Sequence, residues 1–181
     1  MEVVNVVWKG TISKRFTLRK TAKKLRYEPL ISTAVYQSKQ PKQLIVRFVD
    51  NSSMLLFKTG TFRVMGKNLD CDTAQSNACI VLRTKTRRIP NIILQTMAGV
   101  YNWPQRLHLD KLSIQIQGDE RKTQCHYDAE HFPAVQIIRH KPIHVNAFAT
   151  GKIVFCGLKT IDSATEIIID LLPVLESCSV C

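Results

Sequence analysis

The chain says the same thing twice. FKTGTFRVMGKN at residues 57–68 returns as FATGKIVFCGLK at residues 148–159, with Phe, Thr-Gly and a second Gly each displaced by 91 positions. The same displacement carries Arg15 onto Arg106, Leu18 onto Leu109 and Tyr36 onto Tyr127. The halves of this 181-residue chain therefore align without a gap over most of their length. Two copies of so long a unit exclude a solenoid, whose repeats are shorter and more numerous. What remains is a duplication, residues 1–90 and 91–181, in which any element assigned to one half is owed by the other.

Each half predicts a strand, a helix, four strands and a long helix. VVNVVW (residues 3–8) is a strand signal, and TLRKTAKKLR (residues 17–26) places Leu18, Ala22 and Leu25 at helical spacing, with Thr17 as the expected cap. Pro29 ends that helix, since the residue before a proline is pushed out of helical geometry. ISTAVY, QLIVRFV and SMLLFK read as strands, and Thr59-Gly60 as a tight turn into the return strand TFRVMG. Asp70 and Asp72 open a helix expected to run through TAQSNACIVLRTKTRR, its cationic end suiting the helix dipole, to a stop at Pro90. In the second half RLHLDKLSIQIQ (residues 106–117) is ambiguous in period, and the repeat decides for helix. Ser163-Ala-Thr-Glu166 is a capping box that opens the last helix, with Ile168, Leu172 and Leu175 on its apolar face and a kink expected at Pro173.

Charge divides the halves that the pattern unites. The net charge is +12, yet residues 1–90 hold 18 Lys/Arg against 5 Asp/Glu, whereas residues 91–181 hold 8 against 9. A basic half beside a neutral one suggests a polyanion for the first and a different contact for the second. Six cysteines and no secretion signal read as reduced thiols. Cys178-Ser-Val-Cys181 lacks the second pair a zinc site needs, also has the outline of a prenylation box, and reads best as a frayed tail. Cys125 with His126 and His131 lacks a fourth ligand. The apolar runs are too short to span a bilayer, and no catalytic constellation stands out. Antiparallel strands with helices on one face, twice over, give an α+β fold in which one long sheet leaves its other side bare. A bare face framed by cations needs a partner.

HFPAVQIIRHKP, FATGKIVFCGLK and DLLPVL in the second half, with VNVV, FKTG and Gly66 in the first, resemble the TATA-box-binding protein family over nearly the whole chain. The resemblance implies a saddle: two quasi-symmetric repeats forming one curved ten-stranded antiparallel sheet with four helices on the convex face. It also implies a DNA-binding, non-enzymatic initiation factor without a cofactor. Such a factor grips A·T-rich promoter DNA through the minor groove, bends it, and works with IIB-like and IIA-like general transcription factors and RNA polymerase. Wedge-and-bend binding is this family's known mode. The implied setting is the nucleus, or a viral transcription compartment in a host cell.

Carried over position by position, the intercalating wedges fall on Phe132 and Phe148 in the second half. In the first they fall on Phe57 and on Pro41, where the family has Phe. The groove readers fall on Asn5, Val7 and Met65, and on Thr96, Ala98 and Cys156. Only Asn5 keeps the family residue among the polar readers, so readout weaker than or different from a strict TATA preference is expected. Phosphate contacts are implied at Arg47, Arg139, Lys152 and Lys159, with Lys58 and Arg63 close to vacated family positions. The resemblance implies that Tyr127, Asp128, Glu130 and His131 form an acidic loop that receives a IIB-like factor, with Ala129 and His131 departing from the family's residues. The competing expectation is a protein-interaction scaffold that kept the saddle and lost TATA-specific DNA binding, a reading that Pro41, Met65 and Cys156 favour.

Overall fold

The computed structural model describes residues 1–84, 92–118, 124–140 and 143–180, and of Arg139 and His140 the backbone alone. Ten strands make one antiparallel sheet in the order β2-β3-β4-β5-β1-β6-β11-β10-β9-β8. The chain divides into two compact units, Asn5–Gln95 and Thr96–Cys181 with Met1–Val4. None of the described helices is long and apolar enough to cross a membrane.

In the unit Asn5–Gln95, β1 (Glu2–Thr11) leads to α1 (Leu18–Leu25), then β2 (Ile31–Gln37), β3 (Gln43–Phe48), β4 (Ser53–Phe57), β5 (Thr61–Gly66) and α2 (Cys71–Leu82). Period-two alternation sorts the strands into two faces. Leu44 and Val46 of β3, Met54 and Leu56 of β4, and Phe62 and Val64 of β5 are fully buried. α1 packs against β2 and β3 and α2 against β5, burying Leu18, Ala22 and Leu25 of the first helix and Ala74, Ala78, Val81 and Leu82 of the second. Truncating one such buried Leu to Ala costs roughly 2–5 kcal/mol. The residues between them, among them Ile45, Arg47, Leu55, Phe57, Arg63 and Met65, face away from the helices and stay partly or wholly exposed.

The second unit repeats the plan with β6 (Ile93–Asn102), a short β7 (Arg106–Leu107), α3 (Leu109–Gln117), β8 (Gln124–Asp128), β9 (Phe132–His140), β10 (Ile143–Phe148), β11 (Lys152–Leu158), α4 (Ile161–Ser177) and β12 (Ser179–Val180). Both ends of β6 lie 91 positions beyond those of β1. The registers agree as well. Gln43 faces Phe57 as Ala134 faces Phe148, and Val7 faces Met65 as Ala98 faces Cys156. The quoted turn is the tightest match. Gly60 and Gly151 have φ of +93° and +84°, and each donates its N–H to the carbonyl of Phe57 or Phe148 at 3.0 and 2.9 Å. A Cβ there would run into the carbonyls of Ile12 and Lys14 in one unit and of Trp103 and Gln105 in the other. Glycine is required twice for one reason.

Several expected boundaries move. Thr17 stands at the first cap, but its hydroxyl makes no capping bond. α2 ends at Leu82 rather than running on, because Arg83 turns left-handed (φ +49°) and its N–H and that of Thr84 close on Ile80 and Cys79. Residues 85–90, with the expected cationic end and Pro90, lie outside the described residues. Arg106 and Leu107 form a strand, so the helix of residues 106–117 begins only at Leu109. α4 begins at Ile161, capped by the Thr160 hydroxyl that accepts from the Ser163 N–H, two residues before the capping box expected at Ser163. Its buried stripe is Ala164, Ile167, Leu171 and Leu175 in place of Ile168, Leu172 and Leu175. The tail is no frayed end through Val180: Cys178 is buried, and Ser179–Val180 pairs with Arg106–Leu107. Cys181 lies outside the described residues.

Candidate nucleic-acid interface

Each unit buries one sheet face under its helices and leaves the other open. Alternation puts Phe148, Asn146 and His144 of β10 on the open face, with Lys152, Val154 and Cys156 of β11. Phe132 starts β9 two residues before Ala134, the residue opposite Phe148. The diagonal brings the two rings to 6.1 Å between centroids, tilted by 59°. The contact is tilted, 37% of Phe132 remains exposed and Phe148 is partly exposed, so two large apolar side chains meet on the open face.

The other unit has half of that arrangement. Phe57 ends β4 opposite Gln43, in the register that Phe148 holds with Ala134. Pro41 is exposed and lies before β3, which begins only at Gln43. A proline has no N–H for the ladder, so the strand starts later. At the matching place Phe132 pairs with Asp128. The expected wedge at Pro41 is therefore not on a strand, whereas Phe132 is.

The expected groove readers form two equivalent pairs, Val7 with Met65 and Ala98 with Cys156. All four are partly buried, as are Asn5 and Thr96. Beyond Met65 the row continues through Ser53 to Arg47, and beyond Cys156 through His144 to Ile138. The Thr96 hydroxyl reaches the Met97 carbonyl at 3.5 Å, a long contact that leaves it able to turn outward. Met65 and Cys156 give these rows apolar or weakly polar centres.

The cations are spread along edges and turns. Lys152 is exposed at the start of β11 opposite Asn102, and Lys159 is exposed just beyond Leu158. Lys58 is exposed in the glycine turn, its carbonyl fixed by the Phe16 N–H at 3.0 Å. Arg47 is exposed on β3, and Arg63 on β5 is partly buried. The backbone of Arg139 lies on β9, and its side chain is outside the described residues. Lys9, to which the sequence assigned no role, stands directly opposite Arg63. Only the strand register could have found it.

The acidic loop joins β8 to β9. Asp128 folds it: its carboxylate accepts from the Glu130 N–H at 3.1 Å and meets the His131 ring nitrogen at 2.8 Å. Glu130 is exposed, and Tyr127 is partly buried. The two acids thus differ in work, one holding the loop and the other facing solvent. His126 and Cys125 are neighbours on a strand and point to opposite faces, Cys125 opposite Ile137 and His126 opposite Gln136. Burial raises the Cys125 thiol pKa, opposed by its contact with Ser113, so the sulfur stays neutral. Among the described residues no three of His, Cys, Asp and Glu gather in metal-binding geometry.

Comparison with known proteins bears on the whole arrangement. Residues 91–178 match the family model of transcription factor TFIID, or TATA-binding protein, TBP. No curated protein matches the chain. Among solved structures, Methanococcus jannaschii TBP superposes with a TM-score of 0.72 at 22% identity, over 97% of this chain and 98% of that one. The fold is therefore TBP-like from end to end, while the family's sequence is matched over the second half.

Proposed function

Taking as its premise a divergent TBP-like protein, with the fold throughout and the family's sequence over residues 91–178, we propose a TBP-type transcription factor that binds promoter DNA on its open sheet faces. The observation that carries this reading is the Phe132–Phe148 pair, Phe132 exposed and Phe148 partly so. Two rings at the end of an uncovered sheet face have the size and chemistry of a wedge between base steps. Unstacking a step costs a few kcal/mol, offset by stacking on the rings and by the surface that the bent duplex then touches. Val7, Met65, Ala98 and Cys156 would lie along the minor groove, while Lys58, Lys152, Lys159, Arg47 and Arg139 would neutralise phosphates. Phosphate contacts supply affinity without sequence choice. Glu130, on the loop that Asp128 folds, would present negative charge to a IIB-like factor, and through it to RNA polymerase.

Specific features favour the second reading, a scaffold without TATA-specific binding: Pro41 stands off the strand, and Met65 and Cys156 replace donors that the acceptor-lined A·T groove could use. Binding of A·T-rich and G·C-rich duplexes across a salt series separates the two. The DNA-binding reading expects affinity that falls steeply with salt, and a slope about one unit smaller for Lys152→Ala. No duplex binding at low salt, or a slope untouched by Lys152→Ala, would leave the scaffold.

A further inference from the structure

One row of the open face differs in charge between the two units. In the unit of residues 96–181, β6 and β11 place Val100 opposite Val154, an ordinary apolar pair. The equivalent positions, 91 residues earlier, hold Lys9 opposite Arg63. Two like charges set directly across an antiparallel ladder destabilise it. Among the described residues of this face no acid relieves them. The open-face residues of β2 to β5, and of β1 from Asn5 onward, include Lys9, Arg47 and Arg63 but no Asp or Glu. Neither Lys9 nor Arg63 has an ion-pair or hydrogen-bond partner among the described residues, and the Arg63 Nε is shut away from solvent. The rest of Arg63 is partly exposed, and its terminal N–H groups are donors that an acceptor at the sheet surface would satisfy.

The pair also sits in a telling place. It lies two residues along the ladder from Val7–Met65, and two from Thr11–Thr61 at the Phe57 end. It is thus inside the face, between the apolar reader pair and the end that bears the aromatic ring, and away from the rim where phosphates would run. Resting on the reading that these faces take duplex DNA, we propose that Lys9 and Arg63 together read the minor groove of A·T pairs. They would donate to the acceptors on the groove floor and replace, one row over, the donor that Met65 lacks. The chemistry selects. A·T and T·A pairs show only acceptors there, whereas G·C adds the amino donor of guanine, which opposes a cation. The narrow, strongly negative groove of A-tracts attracts Arg and Lys further.

The test replaces both residues by those of the other unit, Lys9→Val with Arg63→Val, changes that suit a strand and remove the repulsion. The variant is expected to unfold no lower than the unmodified protein, which separates recognition from a structural role. Fluorescence anisotropy at one fixed salt would compare A·T-rich, G·C-rich and inosine·cytosine duplexes. Inosine lacks the guanine amino group, so its minor groove resembles that of A·T. The unmodified protein should bind the A·T and inosine duplexes alike, and roughly tenfold or more above G·C. The double variant should lose that ratio, while Lys58→Ala should weaken all three equally. Equal losses on every duplex from the double variant would mean phosphate contacts and overturn the proposal, as would an unchanged ratio or a variant that fails to fold. If the unmodified protein binds no duplex, this inference falls together with the function proposed above. If it binds and responds to Lys152→Ala but its duplex preference ignores Lys9 and Arg63, this inference falls alone.

Discussion

Phe57 and Phe148 are the same residue in the repeat and have unequal surroundings. Phe148 has the Phe132 ring 6.1 Å away, whereas the position equivalent to Phe132 is Pro41, outside the strand. A complete wedge gains more stacking against a similar unstacking cost. Phe148→Ala is therefore expected to weaken duplex binding by about 1–3 kcal/mol, the range for base–aromatic stacking, and Phe57→Ala by less. Titration of the two variants against one labelled duplex checks this, and equal losses would show that the asymmetry has no energetic consequence. Both phenylalanines were legible in the sequence because the glycine turn beside them fixes their register. Lys9 was not, because its meaning comes from the residue across the ladder.

At the scale of elements, loops and hairpins do the differentiating. Asp128 is spent on the fold of the β8–β9 loop, whereas Glu130 is exposed. Glu130→Lys should abolish binding of a IIB-like factor and leave duplex affinity equal or higher. Asp128→Ala should instead loosen the loop, seen as faster amide exchange of Glu130 and His131. Loss of duplex binding in Glu130→Lys with the protein complex intact would contradict the assignment. In the other unit the β3–β4 turn is tied to α2. The Asp50 carboxylate accepts from the Ser52 N–H at 2.8 Å and the Ser52 hydroxyl at 2.6 Å, and Asn77 reaches the same hydroxyl at 2.9 Å. Partial burial pushes the Asp50 pKa up, but these hydrogen bonds outweigh it and hold the pKa below its ordinary value of 3.8. The sign follows: the ionised form is favoured by folding, so its contribution is full above the ordinary value and fades as pH falls through the lowered one. Thermal unfolding of Asp50→Ala should thus differ from the unmodified protein at neutral pH, with the gap closing below about pH 4. A gap independent of pH would assign the effect to packing.

For the whole molecule, duplication of the fold coexists with divergence of charge. Residues 1–90 carry the excess of Lys and Arg, and residues 91–181 the complete aromatic pair. Bound DNA is expected to be held by phosphates and cations along the first half and kinked chiefly at the second. Pro41→Phe restores both a ring and a ladder N–H. It should therefore extend β3 toward the length of β9 and deepen the bend, most on duplexes with a flexible TA step. End-to-end distances from fluorescence transfer on a doubly labelled duplex give the measurement, and an unchanged distance would show that the first half does not wedge DNA.

The sequence by itself determined the duplicated plan, the strands of each half and the glycine turn, because period-two alternation and a positive-φ glycine leave local signatures. Helix ends escaped it. Arg83 turns left-handed and Thr160 takes the cap three residues before the expected Ser163. The α4 stripe shifts from Ile168 and Leu172 to Ile167 and Leu171, since neighbouring apolar residues make the periodicity degenerate until a sheet face selects one row. Only the tertiary structure decided that Pro41 leaves the strand, that Asp128 is consumed by its own loop, and that Lys9 faces Arg63. Each depends on a partner far along the chain or across a turn, and pairing register is a property of two strands, which no single segment encodes.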